Sequence, residues 1–135
     1  MPLINADYPL ASWFLLVVTI SFSCIYALPL LFMPLRWARW FRWQMPEGNT
    51  ALTVYFGRCL GGLALAAILT VVRAVPDPKS HLLLFDMTYV VCGIMTAIHI
   101  WGAIERTQPW TEDAEILMYG AATGAAAWLR FSVLA

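Results

Sequence analysis

The stretch ASWFLLVVTISFSCIYALPLLFM, residues 11–33, decides the fold. It lies inside an interval from Tyr8 to Leu35 that contains no charged residue. A helix of about 20 apolar residues crosses the hydrocarbon core of a bilayer, so this interval predicts a membrane span over residues 10–33. Pro29 is expected to kink its last turn and Pro34 to end it. The preceding MPLINADYP carries no Lys or Arg, and the apolar run is longer than a signal-peptide core, so the segment reads as a retained span.

The composition agrees. Of the 135 residues 61% are hydrophobic and 12% charged, against roughly 45–50% and about 25% in ordinary soluble domains. A soluble chain of this size has too little interior to hide so much apolar surface. Three further apolar stretches follow: TALTVYFGRCLGGLALAAILTVV at 50–72, HLLLFDMTYVVCGIMTAIHIWGAI at 81–104, and EILMYGAATGAAAWLRFSVLA at 115–135. Asn49 or Thr50, Ser80 and Thr111 are the expected helix caps. PDP at 76–78 separates the second and third spans. Glu112, Asp113 and Glu115 fall in the first turns of the fourth, where the positive end of a helix favours acids. Lipid admits only helices or closed barrels, and the alternation of a barrel strand is absent. The expected fold is therefore all-α: one domain, residues 1–135, forming an antiparallel four-helix membrane bundle.

Between the first two spans stands RWARWFRW, residues 36–43. Arg36, Arg39 and Arg42 fall on one arc of a helix and Trp37, Trp40 and Trp43 on the next. Segment 35–45 reads as a short amphipathic helix in the membrane interface, indoles at headgroup depth and guanidiniums on phosphates. Nucleic-acid binding would require a broad basic face, which a chain of zero net charge lacks. Counting Lys and Arg on each side places this loop in the cytoplasm and both termini opposite.

Two small-residue repeats mark helix-packing faces: Gly57 with Gly61 in the second span, and Gly120 with Gly124 in the fourth. Within the chain they predict packing of the second span on the fourth; otherwise they predict a homo-oligomer or docking to a larger membrane complex. Ionisable groups inside spans are costly and therefore candidate functional groups. Arg58 falls on the order of 12 Å, and His99 roughly 9 Å, below the same surface. Tyr26, Ser23 and Thr123 come to a similar level, so the expected polar layer is Arg58, His99, Tyr26, Ser23 and Thr123. On the opposite side Asp86 is expected to pair with Arg73 or Arg130 as a structural clasp.

No catalytic set, metal-ligand set or cofactor motif is read from the sequence. Cys24, Cys59 and Cys92 form no CxxC pair, which excludes the paired-thiol chemistry of quinone-linked membrane oxidases. Residues 8–35 hold no acid, which excludes the membrane-embedded Glu of small multidrug transporters. The favoured function is a non-enzymatic accessory or scaffold subunit. The alternative is a carrier or membrane enzyme that binds a lipid-like or anionic small molecule at the Arg58/His99 layer.

Overall fold

The computed structural model describes residues 2–135, and the described residues are helical with no strand. Five helices follow one another: α1 (Pro9–Phe32), α2 (Pro34–Trp40), α3 (Ala51–Ala74), α4 (Leu82–Glu105) and α5 (Trp110–Trp128). Three are long and apolar enough to cross a membrane: α1, α3, and α4 together with the single 3₁₀ turn Pro78–His81 that precedes it. Helix α5 is not among them. It begins at Trp110, a turn before the span read at 115–135, with Pro109 rather than Thr111 at its cap position. The cap before α4 also differs from expectation, whereas Asn49, one of the two residues expected at the start of α3, does take up a backbone N–H there. Asp77, not Ser80, accepts from a backbone N–H (that of Ser80) at 3.4 Å, and Asn49 Oδ1 accepts from Ala51 N at 2.8 Å.

Pro29 shapes α1 by a specific route. Proline has no N–H to offer the carbonyl four residues back, which is that of Ile25. The helix widens into a π turn over Ser23–Ala27, and the Ile25 carbonyl accepts instead from the Trp37 indole N–H at 2.8 Å. Met33 then breaks the helix and Pro34 opens α2 at its first turn. Helix α2 is shorter than the amphipathic segment read at 35–45. It ends in a Schellman motif with Arg42 left-handed (φ 62): Trp43 N donates to Ala38 O at 2.9 Å and Arg42 N to Arg39 O at 3.0 Å. The same motif ends α4, with Arg106 left-handed (φ 56) and Thr107 N on Gly102 O at 3.0 Å.

Helix α1 is the hub. Helix α3 packs on α1 and α2 and makes no substantial contact with α5, so the expected packing of second span on fourth is not what the fold uses. The reason is visible at the glycines. A Cβ on Gly61 would stand 2.5 Å from Leu31 N and 2.9 Å from Ala27 O, and one on Gly57 would stand 2.6 Å from Pro34 Cβ. The bare faces of α3 are filled by α1 and the start of α2. The most extensive pairing is α4 with α5, antiparallel across a four-residue turn. Apolar residues Leu15, Val75, Phe85, Leu129 and Leu134 form a core at the end nearest the chain termini. Large side chains such as Leu63, Leu83, Ile94 and Ile104 point outward, an inversion of soluble-protein patterning that suits lipid contact.

Candidate functional site

At the opposite end of the bundle from that core, the buried residues include an imidazole and two carboxyl groups. His99 lies in the last two turns of α4, and Glu112 and Glu115 in the first two of α5. Three residues apart, the two acids share a face of their helix. The turn at Arg106 falls midway between His99 and Glu112, so the antiparallel return sets them opposite each other. Gln108 fastens this turn, its Nε2 donating to His99 O at 2.9 Å and to Asp113 Oδ1 at 2.8 Å. A Cβ on Gly102 would collide with the Gln108 carboxamide, so glycine is what lets the clasp close.

The three side chains are almost wholly enclosed: His99 is 5% exposed, Glu112 7% and Glu115 6%. His99 Nδ1 is 2.7 Å from the Met95 carbonyl oxygen, which can only accept, so Nδ1 carries a proton. Nε2 then faces two carboxylates, Glu112 Oε2 at 3.1 Å and Glu115 Oε2 at 3.4 Å. Glu112 Oε1 accepts from the Trp43 indole at 2.8 Å. Glu115 Oε1 is buried with no hydrogen-bond partner. Among the described residues no Lys or Arg is ion-paired with either acid. Two ionised carboxylates exceed the charge of one imidazole even when it is protonated, and buried charge is costly unless compensated. The centre is therefore suited to a proton or a metal cation.

The walls are aromatic. The Tyr119 ring lies 5.1 Å from the His99 ring, and Tyr26 packs against Phe22 at 4.8 Å and Phe41 at 5.9 Å. Beside Glu115 opens a groove of about 360 Å³ lined mainly by Tyr26, Trp40, Phe41, Trp110 and Met118. The Thr111 hydroxyl donates to the Phe41 carbonyl, tying α5 to the end of α2.

Of the expected polar layer, the fold brings His99 and Tyr26 to this centre and leaves the others out. Ser23 Oγ donates to Thr19 O at 2.6 Å and Thr123 Oγ1 to Tyr119 O at 2.8 Å, each satisfied within its own helix. Arg58 is exposed on α3, in a separate depression with Phe32, Pro34, Arg36 and Val54. The arginines of 36–43 remain exposed, with Arg42 stacked over Trp110 at 5.5 Å. Two of the three indoles, Trp37 and Trp43, spend their N–H groups inside the protein, while Trp40 is exposed.

Gly120 and Gly124 face open space: a Cβ at either would meet nothing within 4 Å. Sequence reasoning missed Glu112, Glu115, Trp43 and Gln108 as partners of His99. The acids read equally well as ordinary first-turn residues. The usable signal was their three-residue spacing together with a turn placed midway to His99, a histidine well inside a span. Comparison with known proteins finds no matching family model, no matching curated protein and no matching solved structure.

Proposed function

We propose that this chain is a four-span membrane protein acting as an accessory or scaffold subunit, with α5 as the helix that meets a partner. The observation that carries this reading is the contrast between the two glycine faces. Gly57 and Gly61 are filled from within the chain, whereas Gly120 and Gly124 are bare. Small-residue faces four apart promote close helix approach where lipid supplies no hydrophobic drive. Helix α5 is also the least suited to lie alone in lipid, since it falls outside the set that is long and apolar enough to span. A helix of that kind gains most from a neighbouring protein helix, either a second copy or a larger complex. On this reading the α2 side of the bundle faces the cytoplasm and both termini lie opposite, which the excess of Arg at 36–43 supports.

A lipid-like or anionic ligand held between Arg58 and His99 receives less support. Arg58 stands apart from His99, and the groups that do surround His99 are acidic.

The test is gentle detergent extraction followed by native mass spectrometry, on the wild type and on the double variant Gly120→Ile with Gly124→Ile. The expected result is a wild-type assembly of at least two chains and a folded, dissociated double variant. A wild type that is monomeric in every mild detergent and in lipid nanodiscs would overturn the reading.

A further inference from the structure

We propose that His99, Glu112 and Glu115 form a binding site for one divalent transition-metal cation, with Zn²⁺ and Mn²⁺ as the ions of matching chemistry. The site does not depend on whether α5 takes a partner helix. Four observations lead to it. The first is spacing. One nitrogen or oxygen donor from each residue lies within 4.8 Å of the others, and Nε2 is 3.1 and 3.4 Å from the two nearest carboxylate oxygens. Donors about 2.1 Å from a common ion stand about 3.0 Å apart at cis-octahedral positions and about 3.4 Å apart at tetrahedral ones. The two separations from Nε2 lie in this range, and the carboxylate oxygens stand within 4.8 Å of each other.

The second observation is the tautomer. The Met95 carbonyl holds the proton of His99 on Nδ1, which presents the Nε2 lone pair to the carboxylates. A backbone carbonyl or carboxylate behind the remote nitrogen is how metal-bound imidazoles are usually oriented. Without a cation, these contacts require a proton between Nε2 and the carboxylates, on the ring or on an acid. The third is the support behind Glu112, whose second oxygen is fixed by the Trp43 indole at 2.8 Å. The fourth is Glu115 Oε1, an oxygen on a residue only 6% exposed that makes no hydrogen bond of normal length and angle, although the Tyr26 side chain adjoins its carboxylate. A bidentate carboxylate on a metal would satisfy it. The groove lined by Tyr26, Trp40 and Met118 reaches Glu115 and supplies a path inward.

The donor set selects the ion. Imidazole with two carboxylates suits Zn²⁺, Mn²⁺ or Fe²⁺, and the absence of a thiolate from the set disfavours Cu⁺. Three protein residues, even with Glu115 bidentate, leave a position for water or a ligand from the groove on an ion that takes five or six donors, which is the arrangement of reactive rather than purely structural sites.

The experiment uses the full chain, purified in mild detergent with a tag free of histidine, stripped with chelator and then titrated with Zn²⁺, Mn²⁺ and Co²⁺. The expected result is about one equivalent retained after desalting, and d–d absorption of bound Co²⁺. Glu115→Gln, close to isosteric, is expected to weaken Zn²⁺ binding at least tenfold while the chain stays folded. Trp43→Phe is expected to weaken it about tenfold through the Glu112 carboxylate. Asp86→Asn, at the other end of the bundle, should leave it unchanged. A folded wild-type chain that retains no metal and gives no Co²⁺ absorption would overturn the proposal and leave an imidazolium held between carboxylates. So would Zn²⁺ binding that is equal in the wild type and Glu115→Gln, since the ion would then sit elsewhere.

Discussion

At the end of the bundle near the termini, Ser12 is fully buried. Its hydroxyl donates to Val75 O at 2.6 Å and accepts from Asn5 N at 3.1 Å. Asn5 in turn reaches Pro76 O at 3.0 Å and receives the N–H groups of Asp7 and Tyr8. Lys79 caps the backbone carbonyls of Leu134 and Ala135, and Asp86 meets Arg130 at 2.9 Å where both are partly exposed. At the His99 end the ionisable groups are enclosed, whereas those near the termini are partly exposed, and one enclosed carboxylate oxygen is unsatisfied. Both non-glycine residues with positive φ, Arg42 and Arg106, also belong to this end. Each terminates a helix that delivers a residue to the centre.

The difference separates two uses of polarity in a bundle with an apolar exterior. Hydrogen bonds from side chains to backbone, those of Ser12, Asn5 and Lys79, close one end, which is what stability alone requires. Buried like charges and left-handed non-glycine residues cost stability, and such costs gather where a protein binds or reacts. The sharpest way to break this contrast is His99→Leu. Removing the imidazole strands two enclosed carboxylates, and breaking a buried ionic cluster from one side costs about 3–5 kcal/mol. The folded fraction in a denaturant titration in detergent should fall accordingly. A loss under about 1 kcal/mol would mean that the carboxylates are already neutral and that the two ends differ little. Next in size is Ser12→Ala, which leaves the Val75 carbonyl and Asn5 N–H without their buried partner and should cost about 1–3 kcal/mol. It should leave metal retention unchanged.

The helices were legible because lipid forces backbone bonds to close within each segment, so hydropathy and length set α1, α3 and α4. The Asp86–Arg130 clasp was also legible, since both ions occur at matching ends of facing segments. The helix pairing was not. Gly57–Gly61 and Gly120–Gly124 carry the same signal, yet Ala27 and Leu31 of α1, at and just past its π turn, meet only the first of them. The centre was legible by half. His99 and Tyr26 stand out as polar residues inside spans, but Glu112 and Glu115 looked like first-turn acids, and Trp43 reaches Glu112 only because Arg42 reverses the chain. Depth along separate helices, the basis for adding Arg58, says nothing about which helix faces which.

The strain at the His99 end gives a smaller prediction of opposite sign. Arg106 occupies a left-handed position that glycine takes without a Cβ penalty. Arg106→Gly should raise thermal stability by about 1 kcal/mol, because the Schellman bonds to Ala103 and Gly102 are made by backbone atoms and survive the change. A neutral or negative effect would show that the guanidinium contributes something at this end beyond the turn.

The smallest effect is expected at the other end, from Asp86→Asn. Asp86 and Arg130 are 31% and 24% exposed at the side chain, so water already screens the pair. Their atoms approach to 2.9 Å, yet Arg130 Nε lacks an aligned hydrogen bond, so the contact is Coulombic rather than a directed bond. Partly exposed pairs of this kind contribute about 0.2–1 kcal/mol, and the contribution fades as salt shortens the screening length. The loss in Asp86→Asn should therefore be measurable in low salt and close to zero in high salt, while the loss in His99→Leu should keep most of its size. If both losses respond to salt alike, the His99 cluster is wetter than its enclosure implies, and the contrast between the two ends reduces to one of composition.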